Sequence, residues 1–344
     1  MSAPTSLRVS LVLLLACGCA SSTSAKRASP PESQTRTWQS PLHRDHPLVG
    51  RIWDVRQGRW VEEPALLAEL SQVPFVLLGE RHDNADHHLL QAELVRGLTA
   101  SGRKPALAFE MLDVEQQPAV DAALARAPQD PDALAQAVAW DKSGWPDWSL
   151  YRPIFAVGTE RGLRIIGANL PRTQVKELVM RGPETLPPET RARLGLDTPP
   201  PEDVARAMRA EMHASHCGHL PESMLDPMVL AQRARDAQMA DRLMTTASAD
   251  GALLITGAGH ARTDRGVPAW LAQRAPERPV RAVALLEVSP EAREPGDYAP
   301  SESPGKLPYD FVWFTPAAER EDPCAAFQKP QAPAPATPEK SPGK

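Results

Sequence analysis

Pro74-Phe75-Val76-Leu77-Leu78 runs directly into Gly79-Glu80-Arg81-His82-Asp83-Asn84-Ala85-Asp86-His87-His88. A short apolar run stopped by glycine reads as a buried strand, and the polar residues after it mark where the chain leaves the sheet. The pattern returns near the other end of the chain. Leu253-Leu254-Ile255 leads into Thr256-Gly257-Ala258-Gly259-His260-Ala261-Arg262. In both places a histidine follows a glycine by three residues. Ligands of α/β proteins sit in the crevice beyond the carboxyl ends of the strands, so two such turns predict a site. Seven of the nine histidines lie in these turns or in a third group, His213, His216 and His219.

Working outward, β-rich runs bounded by breakers occur at 74–78, 106–110, 163–167, 252–256, 280–286 and 310–314. Leu90, Leu94 and Leu98 recur every four residues, which predicts an amphipathic helix over 85–100. Helical patterns also cover 114–126, 131–140, 148–161, 202–216 and 224–248. This alternation predicts an α/β fold: a mostly parallel central sheet flanked by helices in three layers, as a single domain. The Pro-rich run 181–201 reads as a mobile surface excursion.

The 344 residues include 42% hydrophobic and 24% charged residues, an ordinary globular balance. A net charge of −5 gives nucleic-acid binding no electrostatic support. At the N-terminus, Arg8 precedes the apolar core Leu11–Ala16, which is too short to span a bilayer. Cys17-Gly18-Cys19 follows. Leu14-Leu15-Ala16-Cys17 has lipobox form, Cys19 offers a second frame, and a plain secretory signal is the alternative. Lipidation at Cys17 or Cys19 would anchor the chain to a lipid bilayer. Neither Gly18 nor Ala20 is Asp, so the usual inner-membrane retention signal is missing. The expected plan is a lipoprotein signal peptide at 1–19, a flexible tether at 20–46, the folded domain at 47–327 and a disordered tail at 328–344. Cys217 and Cys324 remain, and in an exported protein an isolated pair reads as one disulfide, with two buried thiols as the alternative.

Glu80, His82, Glu110 and His260 all fall at expected strand ends. Two carboxylates and two imidazoles suit a divalent metal, with catalysis through bound water. Structural ion pairing is the plainer reading, since a carboxylate closing an apolar strand needs a partner. No His-Glu-x-x-His helix, Gly-x-Ser-x-Gly elbow or P-loop is present. His87 shares the Leu90/Leu94 face and should point at the sheet, while His88 lies off it. Arg233, Arg235 and Asp236 lie on the long helix after Pro227, and an arginine facing inward there would bind a carboxylate, either Glu80 or Glu110 or one from a ligand. Trp140, Trp145, Trp148, Tyr151 and Phe155 form a dense aromatic group that is either core or a flat ligand pocket.

Several stretches carry a family resemblance: LLGERHDNADHHLLQAELVRGL (77–98), ALAFEMLDVEQQPAVD (106–121), the Trp-Asp-to-Ile-Phe run at 140–155, GANLPR (167–172), HCGHLPE (216–222), AQRARDAQMA (231–240), ITGAGHARTDRGVPAWL (255–271) and Asp322-Pro323-Cys324. In this order and spacing the chain resembles ChaN-type haem-binding lipoproteins of the Tiki/TraB/erythromycin-esterase superfamily. The resemblance implies an exported, outer-membrane-anchored protein that binds haem non-covalently, assists iron acquisition and forms a homodimer around its ligand. Candidate haem-contacting residues are His87, His88, Tyr151, His216, Arg235 and Arg262. The superfamily's enzymes imply an alternative, a metal-dependent hydrolase of peptidase or esterase type using the Glu/His crevice.

Overall fold

The computed structural model describes residues 36–322, 324 and 325. The expected signal peptide with Cys17 and Cys19, residues 20–35 of the expected tether and the tail at 328–344 lie outside the described residues. In chain order the elements begin with β1 (Ile52–Asp54), β2 (Arg59–Val61), α1 (Glu63–Ser71), β3 (Phe75–Glu80), α2 (Ala85–Leu98) and β4 (Ala106–Asp113). Then come α3 (Gln117–Arg126), α4 (Pro131–Ala137), α5 (Trp148–Glu160), β5 (Ile165–Asn169), α6 (Arg172–Arg181) and α7 (Pro188–Leu194). The chain continues through α8 (Glu202–Ser215), α9 (Glu222–Thr246), β6 (Ala252–Gly257), α10 (Val267–Arg274), β7 (Val280–Glu287) and β8 (Phe311–Thr315).

The sheet has eight strands in the order β2-β1-β8-β7-β3-β6-β4-β5. Strands β3 to β8 run parallel, and β1 is antiparallel to both of its neighbours. The expected mostly parallel sheet is therefore present, and both of its faces are covered. Val76, Leu78, Leu107, Phe109, Leu253 and Ile255 turn to one face, against Leu90, Leu94, Ile154 and Phe155 of α2 and α5. Their neighbours in sequence, Phe75, Leu77, Ala106, Ala108, Ala252 and Leu254, turn to the other, against Met239, Ala240 and Leu243 of α9. This period-2 division of continuous apolar runs is what a two-sided buried sheet requires.

Besides the short helices α1, α6 and α10, which no sequence pattern gave, three features differ from the sequence expectation. The β1–β2 hairpin has strands of only three residues, too short for alternation to show. Trp53 and Trp60 hold it together edge to face at 4.8 Å. The run 181–201 is not a free excursion, because Leu186, Leu194 and Leu196 are buried beside Leu178 and Ala234. Burial of each leucine contributes roughly 1.5–3 kcal/mol, which outweighs a loop-like composition. Residues 39–46 of the expected tether are also docked. The Gln39 and Ser40 amides each donate to the Asp86 carboxylate at 2.8 Å, and Leu42 bridges to Ala317. The aromatic group is mostly core: Phe109 stacks on Phe155 at 4.0 Å, with Trp140 and Tyr151 buried beside them. Cys217 and Cys324 form the expected disulfide, with Cα atoms 5.6 Å apart.

Candidate functional site

Strands β3 and β6 are neighbours, although their sequences lie far apart, with Gly79 paired to Thr256 and Glu80 to Gly257. The two Gly-x-x-His turns therefore interlock at one sheet edge. A Cβ at Gly79 would meet Ala261 Cβ at 2.8 Å and Ala258 Cα at 3.0 Å. A Cβ at Gly257 would meet His82 Nε2 at 2.9 Å. Each glycine thus leaves the space that the other turn occupies, which is a packing reason for both.

Glu80, at the end of β3, is 2% exposed and faces a tyrosine hydroxyl and two imidazoles. Tyr151 donates its hydroxyl to Oε1 at 2.7 Å, and His82 Nδ1 lies 2.8 Å from the same oxygen. His88 Nδ1 sits 3.0 Å from Oε2 as an ion-pair contact rather than an aligned hydrogen bond. Burial pushes the Glu80 carboxyl up, but the two histidines outweigh it and hold it at about 2. Glu110, on β4, is equally enclosed. Its Oε2 accepts from the Thr256 hydroxyl at 2.8 Å and the Gly257 amide at 2.7 Å. Its Oε1 accepts from Arg235, with His260 Nε2 at 3.4 Å and His82 Nε2 at 3.9 Å. Burial opposes ionisation of Glu110, yet His260 and Arg235 keep its carboxyl well below the usual range.

His260 completes the chain of contacts. Its Nδ1 lies 2.6 Å from Asp236 Oδ1, and Gln232 Nε2 lies 3.0 Å from the same nitrogen. Burial lowers its pKa, but Glu110 and Asp236 raise it to about 9. Asp236 itself is pushed up by burial. A continuous row of ionisable groups therefore runs Asp236–His260–Glu110–His82–Glu80 along the floor of a cleft of ≈960 Å³. The cleft walls carry Met208 and Met212 from α8, Leu285, Leu286 and Val288 from the end of β7, and Tyr298.

The four strand-end residues thus converge as expected, but the expected divalent-metal site is not formed among the described residues. The physical reason is that both carboxylates are already engaged by hydrogen-bond donors and ion-pair partners. The oxygens of Glu80 and Glu110 that would bind a cation already face hydroxyl, amide, imidazole and guanidinium groups. Ion pairing, the plainer reading, is what the geometry realises.

The expected haem-contacting residues separate. Arg235 lines the cleft, bound to Glu110 as anticipated. His87 is fully buried: its Nδ1 accepts from the Arg81 amide at 2.8 Å and its Nε2 meets the Thr315 hydroxyl at 2.8 Å. Burial drives its pKa down to about 3, so it is a neutral, fully partnered core histidine. His88 is also buried, behind Glu80 rather than off the sheet-facing side. Tyr151 is 0% exposed, and burial beside Glu80 pushes its phenol far above the ordinary value. His216 caps α8 through the Met212 carbonyl, and Arg262 is spent on Asp264 and Glu302. None of these five lines the cleft. Residues that do, but were given no role from sequence, include Gln232, Asp236 and Arg265. Gln232, Arg235 and Asp236 stand at i, i+3 and i+4 of α9, a helical spacing that puts polar groups on one stripe. That stripe was the available signal.

His260 predicts a pH dependence. A raised folded-state pKa means that its stabilisation is complete below the ordinary 6.5 and is lost as pH rises through about 9. The shift corresponds to about 3 kcal/mol as an order of magnitude. Denaturant unfolding free energies should fall across that window in the wild type and flatten in His260→Gln. An unchanged slope in the variant would assign the effect elsewhere.

A mostly parallel α/β sheet with a buried Glu/His row beneath an open strand-end cleft places this protein among α/β folds with a crevice at the carboxyl ends of their strands, where ligands of such folds bind. The chain belongs to the haem-binding uptake, Tiki superfamily, ChaN family, which it matches over residues 66–271. It is similar to the structure of ChaN of Campylobacter jejuni, described for cofacial haem binding. Identity is 24%, coverage is 76% of this chain and 95% of that one, and the TM-score is 0.61. A mutant of the erythromycin esterase EreC in its open conformation is 14% identical, with 76% and 95% coverage and a TM-score of 0.43. A comparison with curated proteins finds no match.

Proposed function

We propose that this protein binds haem in the strand-end cleft and serves haem or iron uptake from a lipid-anchored position. Family membership supports the ligand, and the cleft is the observation that carries its placement. At ≈960 Å³ it lies within the range of small-molecule and cofactor sites. Met208, Met212, Leu285, Leu286 and Val288 provide apolar surface for a porphyrin face. Arg81, also on the lining, is 55% exposed and only loosely paired, at 3.7–3.8 Å, with Asp83 and Glu287. It suits a propionate. Histidine, tyrosine and methionine are protein ligands of haem iron, and His82, Tyr298, Met208 and Met212 carry those atoms in the cleft. When bound, haem supplies the iron. The protein's own groups hold the macrocycle, neutralise its carboxylates and fix the imidazole of His82 through Glu80.

Titration of the purified protein with haemin should give a saturable Soret shift, weakened by replacing one or more of His82, Tyr298, Met208 and Met212. Failure to saturate would overturn the reading. The lipobox at Cys17 or Cys19 supports anchoring, which mass spectrometry of the membrane-extracted protein tests. No helix among the described residues is long and apolar enough to cross a membrane. Cofacial binding, as described for the Campylobacter protein, motivates a homodimer here, so sedimentation should show association on haem loading.

A second reading rests on a separate observation. His260 is held between Asp236 and Glu110 on the cleft floor, an imidazole oriented for proton transfer. In this reading the row acts as a general acid–base in hydrolysis without a bound metal. Ester hydrolysis by the purified protein, lost in His260→Gln while haemin binding persists, would favour it.

A further inference from the structure

A second cavity of ≈850 Å³ lies between the 195–201 loop, α8, α9 and α10. One wall is the polyproline run Pro199-Pro200-Pro201, and another is the half-buried indole of Trp270. Two guanidinium groups reach that ring. Arg274 Cζ lies 4.8 Å and Arg233 Cζ 5.7 Å from the ring centroid, within cation–π range.

The charge balance is unusual. Arg233 is only 9% exposed, yet among the described residues it forms no ion pair, and its guanidinium donates to the Thr198 carbonyl at 2.8 Å. Arg274 likewise makes no ion-pair contact among the described residues; the carboxylate that acts on it, Asp241, is itself bound to Arg193. Asp264 and Arg265 also line the cavity, but both are committed. Asp264 is bound to Arg262 at 2.7 Å, and Arg265 to Glu302 at 3.0 Å and to Glu211. Asp236 and Asp241 offset the two remaining cations only at longer range, and burial outweighs them, lowering both guanidinium pKa values. A guanidinium has five N–H donors in a fork matched to a carboxylate, and its burial with no carboxylate in contact disfavours the charged form. Such an arrangement is relieved by an anion. The indole and the proline run, both flat apolar surfaces, would flank the body that carries it.

The geometry points to a binding site for a small aryl carboxylate, its carboxylate on Arg233 and Arg274 and its ring against Trp270 and the proline run. The cavity adjoins the haem cleft, sharing Met208 and Arg265 with it, but Arg233, Trp270 and Arg274 line this cavity alone, so the two readings can fail independently.

Calorimetric titration of the full chain with 2-naphthoate tests the assignment, with neutral 2-naphthylmethanol as the uncharged comparison. Saturable binding of naphthoate is expected, at least about tenfold tighter than that of the alcohol. It should weaken about tenfold or more in Arg274→Gln and in Arg233→Gln, as when one partner of a buried charge pair is removed. The Soret titration should be unchanged in Arg274→Gln. Arg274 is half-buried at the rim, so that variant keeps the test valid if Arg233→Gln fails to fold. No saturable naphthoate binding, equal binding of the alcohol, indifference to Arg274→Gln, or displacement of naphthoate by one equivalent of haemin would each overturn the assignment.

Discussion

Glu110→Gln is expected to lower the unfolding free energy at neutral pH by about 3–5 kcal/mol, the usual cost of removing one partner from a buried ion pair. Glu110 is 1% exposed and is the only carboxylate among the described residues in ion-pair contact with Arg235, while also facing His260 and His82. The amide keeps the side chain's size, so cavity formation does not contribute. A glutamine oxygen can still accept from Thr256 and Gly257. Its NH₂ group must then face Arg235 and His260, setting donor against donor without a counter-charge. Equilibrium urea unfolding should show a lower midpoint with an unchanged m-value. The pKa of His260 should also fall from about 9, because the larger of the two charges that raise it is gone. A loss under about 1 kcal/mol would show that the Glu/His row is not the electrostatic keystone that its geometry indicates.

Removing the disulfide is expected to cost about 2–4 kcal/mol. Cys217 and Cys324 are 107 residues apart in sequence. Constraining so long a loop in the unfolded chain has a large entropic effect, about 4.7 kcal/mol for 100 residues before native-state offsets. The bridge ties the end of the described chain to the turn after α8, whose Met208 and Met212 line the cleft. The double variant Cys217→Ser/Cys324→Ser should unfold at lower urea concentration and with a larger m-value, because its denatured state expands further. Equal stability with and without the bridge would place the constraint in contacts made elsewhere. The Arg320 ion pairs to Glu287 and Asp83 are the first candidates.

Much of the fold was legible because its strands are continuous apolar runs bounded by glycine or proline. Each of the six expected strands overlaps an observed one. The elements that escaped are β1 and β2, α7, and the short helices α1, α6 and α10. β1 and β2 are too short for periodicity, and α7 lies in a segment whose prolines and charges mimic a loop while a few leucines anchor it. The site was legible in part for the same reason: Glu80, His82, Glu110 and His260 all sit where a strand ends. His87, Tyr151 and Arg262 belong to the right region, but local sequence does not report which way a side chain's polar atoms are already committed.

The sequence by itself determined that two glycine-ended strands would carry histidines to the carboxyl edge of a parallel sheet, and that two carboxylates would join them. Tertiary structure decided that β3 and β6 are neighbours, because strand order depends on crossovers that no local pattern encodes. It also decided what the carboxylates do. Once Tyr151, His88, Arg235, Thr256 and the Gly257 amide converge on them from distant segments, the carboxylates are engaged in hydrogen bonds and ion pairs, and a set of potential metal ligands becomes a buried charge network under an open cleft.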